Sequence, residues 1–137
     1  MWSTSDFLNA VARRAGVPVD LAATITHATL ETLADRISAG EAEDLADQLP
    51  GGLDKHLRKP PIREQAEPFG LGDFVQRVAA RAGIDDALAG VGVRAVLTTL
   101  REAVPGDEFE DMVAQVSKEF REVFEPVASP AGRQAPR

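Results

Sequence analysis

A chain of 137 residues, 44% hydrophobic and 27% charged, has the composition of a globular protein and suits one compact domain or two small subdomains. It contains no cysteine, which excludes disulfides, thiolate zinc sites and cysteine nucleophiles. The net charge is −7; residues 6–58 carry 5 Lys/Arg against 9 Asp/Glu and residues 73–125 carry 6 against 11, so neither stretch offers the basic field that dominates nucleic-acid affinity.

The first helix is expected from about Ser5 or Asp6, either of which can cap it. Phe7, Leu8, Val11, Ala12 and Ala15 recur at helical spacing, Arg13 and Arg14 suit the last turn, and Gly16 is the stop. Pro18 then fits the opening of a second helix to Ile37, on which Leu21, Ile25, Ala28, Leu30, Leu33 and Ile37 cover more than one face. So broad an apolar surface predicts contact on two sides. Ser38-Ala39-Gly40-Glu41 reads as a capping box for a third helix, Glu41 to Leu49, which Pro50-Gly51-Gly52 breaks. Leu53 and Leu57 mark a short fourth helix ending at Arg58 or Lys59. Residues 59–72 hold three Pro and two Gly without periodicity and read as an exposed linker, with Phe69 and Leu71 docking on the second half of the chain.

From Asp73 the chain repeats itself. Shifted by 67 positions, residues 73–125 align with residues 6–58 without a gap, and 17 of the 53 pairs are identical. Asp73 with Gln76 is the expected cap, Phe74, Val75, Val78, Ala79 and Ala82 the stripe, and Gly83 the stop. Asp85 caps a long helix to Val104 carrying Leu88, Val91, Val93, Val96, Leu97 and Leu100. Gly90 and Gly92 inside it each cost about 1 kcal/mol of helix propensity relative to Ala, in exchange for close helix contact or a local kink. Pro105-Gly106 turns, Asp107 with Glu110 renews the capping box, and Phe109, Met112, Val113 and Val116, then Phe120, Val123 and Phe124, form the last stripes. The tail 126–137, with three Pro and two Arg, is expected to be disordered.

A unit of some 53 residues buries only about 60% of its unfolded surface and is marginal alone. The expected fold is therefore all-α: two tandem four-helix repeats, 1–58 and 73–125, packed on each other with pseudo-two-fold symmetry and with helices 18–37 and 85–104 central.

Phe7-x3-Val11-Ala12-x2-Ala15-Gly16, Ala28-x-Leu30-Glu31-Thr32-Leu33 and Gly40 to Pro50 resemble a bacterial family, domain of unknown function 2267. The second block matches through Asp73-Phe74, Val78-Ala79-x-Arg81-Ala82-Gly83, Ala95-Val96-Leu97, Leu100-Arg101-Glu102 and Glu108-x-Glu110-Asp111-x3-Gln115, and departs at Val116-Ser117, where Leu-Pro is the family pattern. The resemblance implies an all-helical bacterial protein and carries over no activity, cofactor or catalytic residue. Phe7 to Leu33 is also similar to the opening helical hairpin of the HU-class nucleoid proteins, whose β-ribbon arms and basic DNA-holding residues have no counterpart here.

The candidates for chemistry each have a plainer reading. Glu41, Glu43 and Asp44, repeated at Glu108, Glu110 and Asp111, offer oxygens for a hard cation. They fit helix capping and dipole complementarity better, since residues two apart diverge by about 200° around a helix. His27 and His56 stand opposite Arg94 and Val123 in the repeat, so neither position demands an imidazole. Gly70-Leu71-Gly72 follows a Pro-rich stretch rather than a strand and reads as a hinge. Lys55, His56, Arg58, Lys59 and Arg63 form the one local basic patch, a docking spot or a solvated helix end. Arg14 and Arg81, identical between the blocks, are expected to reach a carboxylate such as Asp44 or Asp111.

No nucleophile–base pair, zinc ligand set or phosphate loop is evident, so no catalytic, cofactor-binding or metal residue is assigned. The expectation is a non-enzymatic adaptor or scaffold that binds an unknown protein or itself, but neither nucleic acid nor membrane. The alternative is a bundle holding a small apolar ligand or lipid between the repeats. No apolar run approaches the roughly 20 residues of a bilayer span, and no signal peptide is visible, so the cytoplasm is the default location.

Overall fold

In a computed structural model, the structure is described for residues 2–58 and 69–113, and every regular element among them is helical. The elements are α1 (Thr4–Ala15), α2 (Val19–Arg36), α3 (Ala39–Ala46), a 3-10 turn (Asp54–His56), α4 (Leu71–Ala82), α5 (Asp86–Ala103) and α6 (Gly106–Val113). The linker residues 59–68, the fourth stripe of the second block at Phe120, Val123 and Phe124, and the tail 126–137 lie outside the described residues.

The helix ends follow local chemistry. α1 begins earlier than the sequence indicates, because Asp6 is the partner of a cap rather than the cap. Ser3 Oγ accepts the Asp6 N–H at 3.0 Å and the Asp6 carboxylate accepts the Ser3 N–H at 3.2 Å, a complete capping box. α4 likewise starts at Leu71 with Gly70 as its cap residue, and Asp73 sits in the first turn, where its charge complements the dipole. Ser38 and Asp85 cap α3 and α5 as expected, through the N–H groups of Glu41 and Leu88. α1 and α4 stop the same way. Gly16 and Gly83 take φ +70°, each donates to the carbonyl four residues back, Ala12 or Ala79, and the following Val17 or Ile84 donates to that same carbonyl. α3 ends at Ala46, before the predicted Leu49, and the expected fourth helix is only the 3-10 turn, although Leu53 and Leu57 on its flanks are buried.

α1 and α2 form one hairpin, α4 and α5 another, and the two interlock: α1 packs on α5, α4 on α2, and α2 crosses α5 directly, while α3 touches α6. The buried apolar residues form one cluster drawn from both blocks, from Phe7, Ile25, Leu30 and Leu33 to Phe74, Val78, Val96, Leu97 and Leu100. α2 is buried on two sides, as its broad apolar surface predicts. α5 departs from expectation at Val91, which is 47% exposed. Ala89, Gly92, Val93, Val96 and Leu100 face inward, and Ala87, Val91 and Arg94 lie on the outer face of the same helix.

The two glycines of α5 are not equivalent. A Cβ on Gly92 would lie 2.6 Å from Ile25 Cγ2, so this glycine admits α2, whereas a Cβ on Gly90 would meet nothing. Gly92→Ala is expected to destabilise the protein by about 1–3 kcal/mol through overpacking against a β-branched side chain, despite its gain in helix propensity. Gly90→Ala is expected to stabilise by up to about 1 kcal/mol. Urea unfolding of the two variants checks the opposite signs.

Candidate functional site

The arginines shared by the two blocks do not reach Asp44 or Asp111. Each crosses to the long helix of the other block. Arg14 on α1 donates to Thr99 Oγ1 at 2.8 Å and to both Glu102 oxygens at 2.8 and 2.7 Å. Arg81 on α4 donates to Thr32 Oγ1 at 2.8 Å and to Asp35 Oδ2 at 2.8 Å. Positions 14, 99 and 102 become 81, 32 and 35 under the same 67-residue shift, so the two contacts are one contact made twice, in reciprocal directions. Each threonine hydroxyl accepts from the arginine and donates to the carbonyl four residues back, Ala28 or Ala95, at 2.8 Å.

The two locks differ in depth. Glu102 is 46% exposed and Asp35 is 4% exposed. A carboxylate that buried needs compensation, and Arg77 stands 3.6 Å from it beside Arg81. Arg77 also lies over the Phe69 ring at 3.9 Å, and the Phe69 carbonyl accepts from Arg36 Nε at 2.9 Å. Phe69 packs on Phe74, so it docks on the second block as expected and is tied to the first as well.

A cleft of about 480 Å³ opens where the two blocks meet at one end, lined by Trp2, Leu49, Pro50, Ala103, Val104 and Pro105, with Asp47 and Gln48 at its edge. Trp2 is held edge-on against buried Phe7, ring centroids 6.2 Å apart. Thr4 Oγ1 donates to the Gly51 carbonyl at 2.5 Å, pinning the turn after α3 to the start of α1. On the neighbouring α3 and α6, Glu43, Asp44, Asp47, Asp107 and Glu110 are exposed.

The two histidines, which sequence reasoning treated as unrelated, meet. His27 on α2 and His56 on the 3-10 turn stack with ring centroids 4.0 Å apart and planes 11° apart, and His56 Nδ1 lies 2.9 Å from Glu31 Oε2. The only sequence signal was that His27 and Glu31 are four apart on one helix face. The basic patch dissolves into internal pairing at Arg58, which bonds Glu43, Asp47 and Asp54; Lys59 and Arg63 lie outside the described residues.

Of the acidic triplet, Glu41 is buried on α3, while Glu43 and Asp44 point to solvent, and among the described residues no three His, Asp or Glu are arranged to hold a metal ion. The side chains of Glu108 and Asp111 lie outside what is described. Gly70 and Leu71 begin α4.

Residues 4–123 match the family model described as an uncharacterized conserved protein, DUF2267. The chain belongs to the DUF2267 family. No curated protein matches it. Among the described residues of this DUF2267 protein, no helix is long and apolar enough to cross a membrane.

The difference in depth between the locks sets their worth. Arg81→Ala leaves Asp35 buried with a weaker partner and is expected to cost about 2 kcal/mol. Arg14→Ala, at a half-exposed carboxylate, is expected to cost about 0.5–1 kcal/mol. Denaturant midpoints of the two variants test the ranking; equal losses would contradict it.

Proposed function

We propose that this protein is a non-enzymatic interaction module, made of two tandem four-helix repeats about a pseudo-two-fold axis, which docks an apolar segment of a basic partner protein in the cleft beside Trp2. The repeat reading draws support from the reciprocal arginine contacts and from the matched pairs of packed helices, α1 on α5 and α4 on α2. The docking reading rests on the cleft. It is largely apolar, it is lined by residues of both blocks, and the exposed carboxylate of Asp47 stands at its edge, with further exposed carboxylates on α3 and α6. Arg14, Arg81, Thr32 and Thr99, which are shared by the blocks, are engaged in holding the blocks together, whereas Gln48, identical to Gln115, lines the cleft. Acidic flanks on an apolar floor favour a segment that interleaves apolar and Lys/Arg side chains.

A second reading is a small apolar ligand or lipid, which the cleft volume accommodates. The flanking carboxylates weigh against a fatty acid or an anionic lipid.

Trp2 is the only tryptophan and reports on the cleft directly. A leucine–lysine amphipathic peptide is expected to shift its fluorescence with salt-dependent affinity. Pro105→Lys is expected to weaken that binding by about tenfold. Asp86→Asn, which changes net charge equally at the far end of α5, about 25 Å away, is expected to leave it nearly unchanged. Equal effects of the two variants would reduce the binding to general charge attraction, and a response to a neutral apolar ligand alone would favour the second reading.

A further inference from the structure

We propose that His27 and His56 form an acid-sensitive latch that holds the turn of residues 50–58 against α2 and releases it when the His27 imidazole is protonated. The latch is independent of what occupies the cleft.

The geometry suits a neutral pair of rings and penalises a proton on His27. The rings lie face to face at 4.0 Å, so their ring nitrogens run side by side rather than converging on one ion. One carboxylate serves the pair, Glu31, at 2.9 Å from His56 Nδ1. The other nitrogen of His56, Nε2, is buried with no hydrogen-bond partner, an arrangement suited to a neutral ring that donates through Nδ1 and keeps a bare lone pair at Nε2. A proton on His27 finds the His56 ring stacked upon it and Lys55 nearby, while Glu31 is engaged at His56 Nδ1. The charged and titratable groups acting on His27 are therefore His56 and Lys55 on the turn and Glu31 on α2, and no charged side chain of α1, α4 or α5 adds to them among the described residues.

Burial, then His56, holds the His27 imidazole below its ordinary value of 6.5; Glu31 opposes this and Lys55 adds to it. With the turn docked, His27 thus binds fewer protons than with the turn released. The docked form therefore has its full advantage above pH 6.5 and loses it as pH falls from 6.5 towards the lower docked-state value.

Release has a defined extent. His56 is flanked by Leu53 and Leu57, both buried, so the histidine stack and two leucines fasten one short segment. The second block has no such device on its long helix. Arg94 stands at the position equivalent to His27 and Thr98 at that of Glu31.

Amide hydrogen exchange on the full chain at about pH 7.5 and about pH 5, corrected for intrinsic exchange, tests the latch, with residues 86–103 as the internal reference. Uptake of one proton on release allows up to about tenfold loss of protection per pH unit in this window. Protection of residues 50–58 is expected to fall several-fold to about tenfold at the lower pH while residues 86–103 hold. His27→Phe, which keeps a ring in the stack and removes the titration, is expected to abolish the pH dependence. Should that ring loosen the segment at both pH values, His27→Gln, which also lacks a titrating group, applies the same criterion. The latch is overturned by unchanged protection of 50–58 in the unmodified protein, by equal loss in 86–103, or by a pH response that survives both His27 variants.

Discussion

The structure depends on how closely α2 can approach α5. At their crossing Ile25 occupies the volume that a side chain on Gly92 would need. These two positions are equivalent in the repeat. Where equivalent residues of two related helices meet at their crossing, identical copies must both be small or share one space. In one chain the two positions are free to diverge, and here one is large and the other has no side chain at all. Filling one side of the contact and emptying the other gives a packed crossing where two isoleucines would collide and two glycines would leave a gap.

With that crossing in place, α1 is brought to α5 and α4 to α2, and the arginines of the outer helices fall beside the polar ends of the central ones. The chemistry of the two contacts is shared, but their surroundings are not. Glu102 keeps much of its water, whereas Asp35 is buried beside Arg81 and Arg77, and Arg77 in turn lies over Phe69. A short acid at one position and a longer one at the other match this difference, since Glu102 reaches solvent and Asp35 does not. The segment entering α4 is thereby fastened from both blocks, through Arg36 to the Phe69 carbonyl and through Arg77 to its ring.

Much of this was legible because it is local. Gly16 and Gly83, Ser38 and Asp85, and the apolar stripes of α1, α2 and α4 follow from backbone geometry and helical period, and each is found where the residues place it. Boundaries slipped where two side chains competed for one role. Asp6 resembles a cap and is the partner of Ser3, and Asp73 resembles a cap one turn inside a helix that Gly70 begins. Val91 slipped because apolar residues ring α5 so fully that periodicity alone does not choose a face; Gly92, which lacks a side chain and so carries no hydrophobic signal, chooses it. The partners of Arg14 and Arg81 were invisible for another reason. Their identity across the blocks marked them as paired, but the pairing runs between blocks, over 85 to 88 residues for one and 46 to 49 for the other, and no local rule reaches that far.

Much of the frame rests on positions that agree between the copies: the stops, the crossed arginines and the threonines they grip. Positions that disagree are therefore where the copies are free to specialise. The outer face of α2 carries His27 and Glu31, and the corresponding face of α5 carries Arg94 and Thr98. A permanent positive charge at 94 has no stacked imidazole to oppose and no proton to lose near neutrality, so that face is indifferent to mild acid. On α2 the equivalent position holds His27, whose charge changes in mild acid, against a stacked imidazole and one carboxylate. The fold supplies two equivalent faces, and the difference in side chains makes one of them responsive to pH.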